Sequence, residues 1–114
     1  MSNSEIWSYR GTDDWSSMNL VGYTVEATDG DIGKVDEASN EVGAGYIVVD
    51  TGPWIFGKKV MLPAGVISNV DSADERVHVD RTKDEIKDSP EFDQDTYKDR
   101  SYRDSLGGYY DRSL

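Results

Sequence analysis

The sequence contains no cysteine and a single histidine, His78. The first absence excludes disulfides, thiolate metal sites and cysteine nucleophiles. Basic residues are scarce: 12 Lys and Arg stand against 23 Asp and Glu, a formal net charge of −11. Between residues 20 and 80 the only basic side chains are Lys34, Lys58, Lys59 and Arg76, against eleven acidic ones. Nucleic-acid binding needs a basic face, and only the Lys58-Lys59 pair offers one, so no nucleic-acid partner is expected. No apolar run approaches the roughly 18 residues of a membrane span. The N-terminal Met1-Ser2-Asn3-Ser4-Glu5 has neither the basic nor the apolar region of a signal peptide. The expected location is the cytoplasm, with no membrane insertion.

Aliphatic residues are few, and unevenly placed. Leu, Ile, Val and Phe total 23, about 20% of the chain, close to the level below which highly charged chains stay unfolded. Residues 20–80 hold 18 of them, including all eleven valines, while 1–19 and 81–114 share five. A chain of 114 residues has room for one domain. The expected organisation is an N-terminal extension (1–19), a compact centre (20–90) and a C-terminal tail (91–114).

The centre reads as strands. Tyr23, Val25 and Ala27 alternate with Thr24 and Glu26, the period of a half-buried strand. Asp29-Gly30 is a strong turn signal. Ile32 to Ala38 forms a second strand whose alternation slips at Gly33, where a bulge is expected. Tyr46-Ile47-Val48-Val49-Asp50 is a nearly continuous β-branched run suited to a central strand. Lys59 to Leu62, Val66 to Val70 (a short strand, or a single turn leading into one) and Arg76 to Asp80 complete five or six short strands, a spacing that favours a small barrel or sandwich. Thr82-Lys83-Asp84-Glu85 matches a capping box and predicts a short helix over 83–88, limited by Pro90. Further on, Gly107-Gly108 is expected to end any helix.

The motifs that suggest chemistry are incomplete. Gly52 to Lys58 has the spacing of a phosphate-binding loop, but Lys59 stands where Ser or Thr would hold magnesium, and Pro53 removes an N–H donor. Asp29-Gly30-Asp31 is only a fragment of a calcium loop, since position 33 is Gly. Asp36-Glu37 and Asp74-Glu75 are sequence neighbours, which point to opposite faces of a strand and make no paired carboxylate site. His78 faces away from Val77 and Val79, as a solvated strand histidine. No catalytic residue, metal or cofactor is assigned.

The remaining candidates are apolar and aromatic. Trp54, Ile55 and Phe56 cannot all point inward; they either plug the end of their own barrel or meet another chain. Trp7, Tyr9 and Trp15, with Tyr97, Tyr102, Tyr109 and Tyr110, lie in segments too polar to fold alone. They dock on the barrel of the same chain or on that of a second copy, or they are incidental aromatics in disordered ends.

The run Leu20 to Val35, with Asp29-Gly30 at its turn and Ile32-Gly33-Lys34-Val35 after it, resembles the opening of the PRC-barrel family. The likeness continues through Tyr46 to Gly52, Phe56 to Gly65, Arg76 to Asp80 and Thr82 to Pro90, about 70 residues in order. Gly107-Gly-Tyr-Tyr110 is also similar to the tail of stand-alone bacterial members, actinobacterial ones among them. The resemblance implies an all-β fold, a six-stranded barrel followed by a short helix. Members include the cytoplasmic domain of the photosynthetic reaction-centre H subunit and the C-terminal domain of a ribosome maturation factor. This sequence has neither the membrane helix of the first nor the N-terminal module of the second, so neither role transfers. The theme that does carry over is protein–protein contact without catalysis. The expected function is a non-enzymatic adaptor or assembly protein that self-associates as a homodimer or larger homo-oligomer. The alternative is a module that binds a small ligand or polypeptide in a stress response.

Overall fold

The computed structural model describes residues 19–39, 45–52, 59–90, 92–93, 95, 97 and 99–112. The first hairpin is built as its sequence requires. Strand β1 (Thr24–Ala27) buries Val25 and Ala27, turns through Thr28-Asp29, and pairs antiparallel with β2 (Gly30–Ser39). The register runs Val25↔Gly33 and then Glu26↔Asp31, so Ile32 is the extra residue of a bulge at the expected place. Gly33 sits at φ +149°, and a Cβ there would be driven into the carbonyl oxygen of Asp50 on the neighbouring strand. Glycine is therefore required twice at this point, for its dihedral and for the close approach. A second irregularity lies between Val35 and Glu37, where β2 pairs with β3 (Tyr46–Asp50). Two bulges in one ten-residue strand bend it and raise its twist.

Strands β4 (Lys59–Pro63), β5 (Ile67–Asp71) and β6 (Arg76–Val79) complete one six-stranded sheet in the order β4-β3-β2-β1-β6-β5. All neighbours are antiparallel except β1 and β6, which are parallel. The order puts β4 and β5 at opposite edges, yet only the 3-10 turn Ala64–Val66 separates them in the chain. Six strands laid flat would set those edges about 24 Å apart. Four residues reach at most about 14 Å. The sheet must roll, and it does: Ala64 N–H donates to Gly45 O at 2.9 Å, and Asp80 N–H donates to Val66 O at 3.0 Å. The corner is thus bonded to both sides of the roll. The expected barrel takes this form, a mostly-β rolled sheet whose hydrogen-bonded ladders end at β4 and β5.

Helix α1 (Lys83–Lys87) opens with the predicted capping box. Thr82 N–H donates to Glu85 Oε1 at 2.9 Å, and Glu85 N–H donates to Thr82 Oγ1 at 3.1 Å. Asp29 Oδ1 accepts from Lys83 N–H at 2.9 Å, so the first hairpin turn also serves the helix start. Helix α2 (Arg100–Arg112) departs from expectation, because it runs straight through Gly107-Gly108. Leu106 and Tyr110, four apart and fully buried, join the same core as Val25, Val49, Leu62 and Ile86. Tertiary burial overrides the low helix propensity of two glycines. The described part of 91–114 accordingly packs against the same core as the sheet.

Replacing Gly33 with Ala is expected to cost at least about 2–3 kcal/mol, since strain and a backbone clash act together. Gly22→Ala, at φ +92° but with nothing within 4 Å of a new Cβ, should cost about 1–2 kcal/mol. Urea denaturation of the two variants checks the difference.

Candidate interaction surface

Strands β3 and β4 are buried on both faces. Ile47, Val49, Val60 and Leu62 share one face by register, and Tyr46, Val48, Met61 and Pro63 share the other. The first set faces the interior of the roll. The second lies outside it, and the chain's own C-terminal segment packs on its Tyr46 end. Tyr97 meets Tyr46 edge to face with ring centroids 6.2 Å apart, and Phe92 packs on Tyr97 at 5.0 Å. The Arg103 guanidinium stacks over Tyr46 at 5.3 Å, and α2 packs against β4.

Polar groups fix this strap at defined points. Glu37, beside Tyr46 on the outer face, accepts from Tyr46 Oη at 2.7 Å and from Tyr97 Oη at 3.1 Å. Tyr109 Oη donates to Glu85 O at 2.5 Å, joining α2 to α1, and Tyr102 Oη donates to Pro90 O at 3.3 Å. Arg81 is 3% exposed. Its guanidinium pairs with Asp80, donates to Tyr110 O at 3.0 Å and stacks over the Tyr110 ring at 5.9 Å. A cation near the last carbonyls of a helix is favourably placed against the helix dipole.

Of the residues singled out in the sequence, Tyr97 thus docks on the sheet of its own chain, Tyr102 and Tyr109 bond Pro90 and α1, and Tyr110 enters the core. Tyr110 is fully buried, so it presents nothing to a partner while the strap is in place. Trp7, Tyr9, Trp15, Trp54, Ile55 and Phe56 lie outside the described residues. His78 is part-exposed on the outer face, 3.7 Å from Glu26 Oε1; Arg76 contacts Glu26 and Asp31 at 3.3 and 3.0 Å beside it. Asp36 and Glu37 are engaged separately, Asp36 with Lys59 at 2.8 Å. Among the described residues no group of three or more His, Asp or Glu is placed to hold a metal ion, and no helix is long and apolar enough to cross a membrane.

Sequence reasoning passed over Glu37, Arg81 and Arg103. For Arg81 a signal existed. Val77 and Val79 point inward, and Arg81 continues the same parity into the core. Nothing in the local pattern marks Arg103, whose partner lies on a strand far away in sequence.

No protein-family model matches the chain. It is similar to an uncharacterized protein from Deinococcus radiodurans, 39% identical over 87 residues, which covers 72% of this chain and 31% of that protein. The chain spans about a third of the length of that relative.

Burial pushes the phenol of Tyr102 up to about 12. Burial raises Tyr46 and Tyr110 further, and for Tyr46 the hydrogen bond and charge of Glu37 add to it. The fold therefore favours the neutral phenols. That contribution is complete below the free phenol value of about 10 and is lost as pH rises through the folded values. Tyr102→Phe is expected to cost about 1 kcal/mol at pH 9, where it removes one hydrogen bond. The gap to wild type should narrow as pH climbs above about 10. Urea denaturation across that range measures it, and a constant gap would show that ionisation of Tyr102 is not coupled to folding.

Proposed function

We propose that the protein is a PRC-barrel-like assembly module, a non-enzymatic adaptor of the cytoplasm that acts through protein contacts, with a second copy of itself as first partner. The observation that carries this reading is the state of β3 and β4. Both faces of these strands are already buried, and the strap packs on Tyr46 at the outer one. Asp50↔Lys59 is the last rung of their ladder, and Asp50 and Gly52 are exposed. The chain that connects them carries Trp54, Ile55 and Phe56 in succession. Large apolar and aromatic side chains in succession favour an interface core.

The rolled six-stranded sheet and the capped helix after β6 support the family resemblance in order and spacing. The charge sets the conditions of assembly. Two copies at net −11 repel each other, so self-association should strengthen as salt screens them.

Light scattering at micromolar protein should show an oligomer that grows with added sodium chloride. Trp54→Ala should shift it toward monomer by at least about tenfold in the dissociation constant, the mark of an interface hot spot. A wild-type monomer under all these conditions, or an oligomer indifferent to Trp54→Ala, would overturn the reading.

A further inference from the structure

The turn of the first hairpin carries a chemically reactive pair. Asp29-Gly30 is the one Asp-Gly or Asn-Gly dipeptide in the sequence. The side-chain carboxyl of an aspartate can close a five-membered ring on the amide nitrogen of the next residue. A glycine there has no Cβ to obstruct the closure and the least backbone restraint against it. The structure requires both members of the pair. Gly30 sits at φ +144°, where any other side chain is strained. Asp29 Oδ1 accepts from Lys83 N–H at 2.9 Å and so satisfies a donor at the start of α1. The fold thereby keeps a reactive dipeptide in a turn whose aspartate is exposed.

The same contacts restrain it. Thr28 N–H donates to Arg81 O at 3.0 Å, and Thr28 Oγ1 donates to the same oxygen at 3.4 Å. Gly30 forms the first rung of the ladder against Ala27. The Lys83 side chain lies along Gly30, its Cδ 3.6 Å from where a Cβ would stand. Both corner residues of the turn are thus pinned on the segment from Arg81 to Lys83. A carboxyl held by Lys83 N–H is not free to turn onto Gly30 N.

We propose that Asp29-Gly30 is a site of backbone modification, aspartate to isoaspartate, held in check by the main-chain N–H of Lys83. In the first step Gly30 N bonds to Asp29 Cγ. The N–H proton and the hydroxyl of the carboxylic acid leave together as one water. In the second step a water opens the ring at either carbonyl. Opening at the side-chain carbonyl restores aspartate. Opening at the main-chain carbonyl leaves the chain running through Cγ, and the former main-chain carbonyl carbon becomes a free carboxylate. No oxidant and no cofactor enters. The product carries one more methylene in the backbone between β1 and β2, so it no longer fits the register of Ala27 with Gly30 or the contact with Lys83. This inference does not depend on self-association.

The test incubates the full-length chain for several weeks at mildly acidic pH, folded in buffer and unfolded in guanidinium chloride. Peptide mapping with electron-transfer fragmentation reads the fraction of β-linked aspartate at position 29. Two variants separate the parts of Lys83. Lys83→Pro removes the N–H at the first helical position, where proline suits a helix. Thr82, at ψ 162°, already has the extended backbone of a residue before proline. Lys83→Ala keeps the N–H and removes the side chain. Isoaspartate is expected to form at least about tenfold more slowly in the folded wild type than in the unfolded chain. Folded Lys83→Pro should exceed folded wild type by at least about fivefold, while Lys83→Ala stays within about twofold of it. No isoaspartate at position 29 in the unfolded chain overturns the site. Equal rates in folded and unfolded wild type overturn the restraint. A Lys83→Pro that matches wild type in both circular dichroism and rate, or a Lys83→Ala as fast as Lys83→Pro, overturns the role of the N–H.

Discussion

The buried guanidinium of Arg81 ties the molecule together. Its main-chain oxygen accepts from Thr28 N–H at 3.0 Å, fixing the end of β6 to the first hairpin. Its side chain leaves in the other direction and meets Asp80 and the carbonyl of Tyr110. A buried cation is tolerated only with close partners, because desolvation alone costs several kcal/mol. The position of α2 is therefore not a matter of apolar packing alone. The sheet exports a desolvated charge, and the last turn of α2 answers it with the carbonyl and the ring face of Tyr110. Without that helix the guanidinium would lose two of the contacts that make its burial tolerable.

The roll of the sheet is the condition that brings Arg81 and α2 together. Gly33 lets the backbone of β3 come against β2, and the second irregularity, after Val35, turns the strand again. With β2 bent twice, the two edges approach and a three-residue corner suffices to join them. The same bend leaves β3 and β4 with an outer face of Tyr46, Val48 and Met61 that water cannot satisfy. The strap is thus a consequence of the roll. A sheet bent enough to close its edges over so few residues still leaves its most apolar strands half uncovered.

Much of this was legible in the residues. Alternation located β1 and β6, Asp29-Gly30 and Gly33 located the turn and the bulge, and Thr82 with Glu85 located α1 to within a residue. The nearly continuous run Tyr46 to Val49 pointed to a central strand, and β3 lies between β4 and β2 with all four of these residues buried. What covers the outer face was not legible. Helix α2 reads as interrupted because Gly107-Gly108 is judged on local propensity, whereas Leu106 and Tyr110 order it through long-range packing. Glu37 reads only as one of two neighbours that make no paired site, because the tyrosines that bond it stand nine and sixty residues away. Local rules find elements; they do not find the partners that distant segments bring. The candidates at Trp7, Trp15 and Trp54 to Phe56 belong to the residues outside the described set.

The choice of tyrosine for the strap follows from the charge of the chain. Acidic residues outnumber basic ones 23 to 12, so acceptors are in surplus and charged donors are short. Lys59 and Arg76 are committed to Asp36 and to Glu26 with Asp31 on the exposed side of the sheet. A strap held by lysines would have to draw on that short supply, and one held by carboxylates would be repelled. Phenols avoid both limits. Each brings one donor with no charge, and its ring adds apolar area where the outer face needs cover. Tyr46 and Tyr97 together satisfy Glu37, and Tyr109 satisfies a carbonyl of α1. The same reasoning accounts for the two arginines that do reach the strap. Arg81 and Arg103 each place a guanidinium over a tyrosine ring, so the few available cations are used where stacking multiplies their contacts. An acidic chain can close an apolar face in this way without raising its charge further.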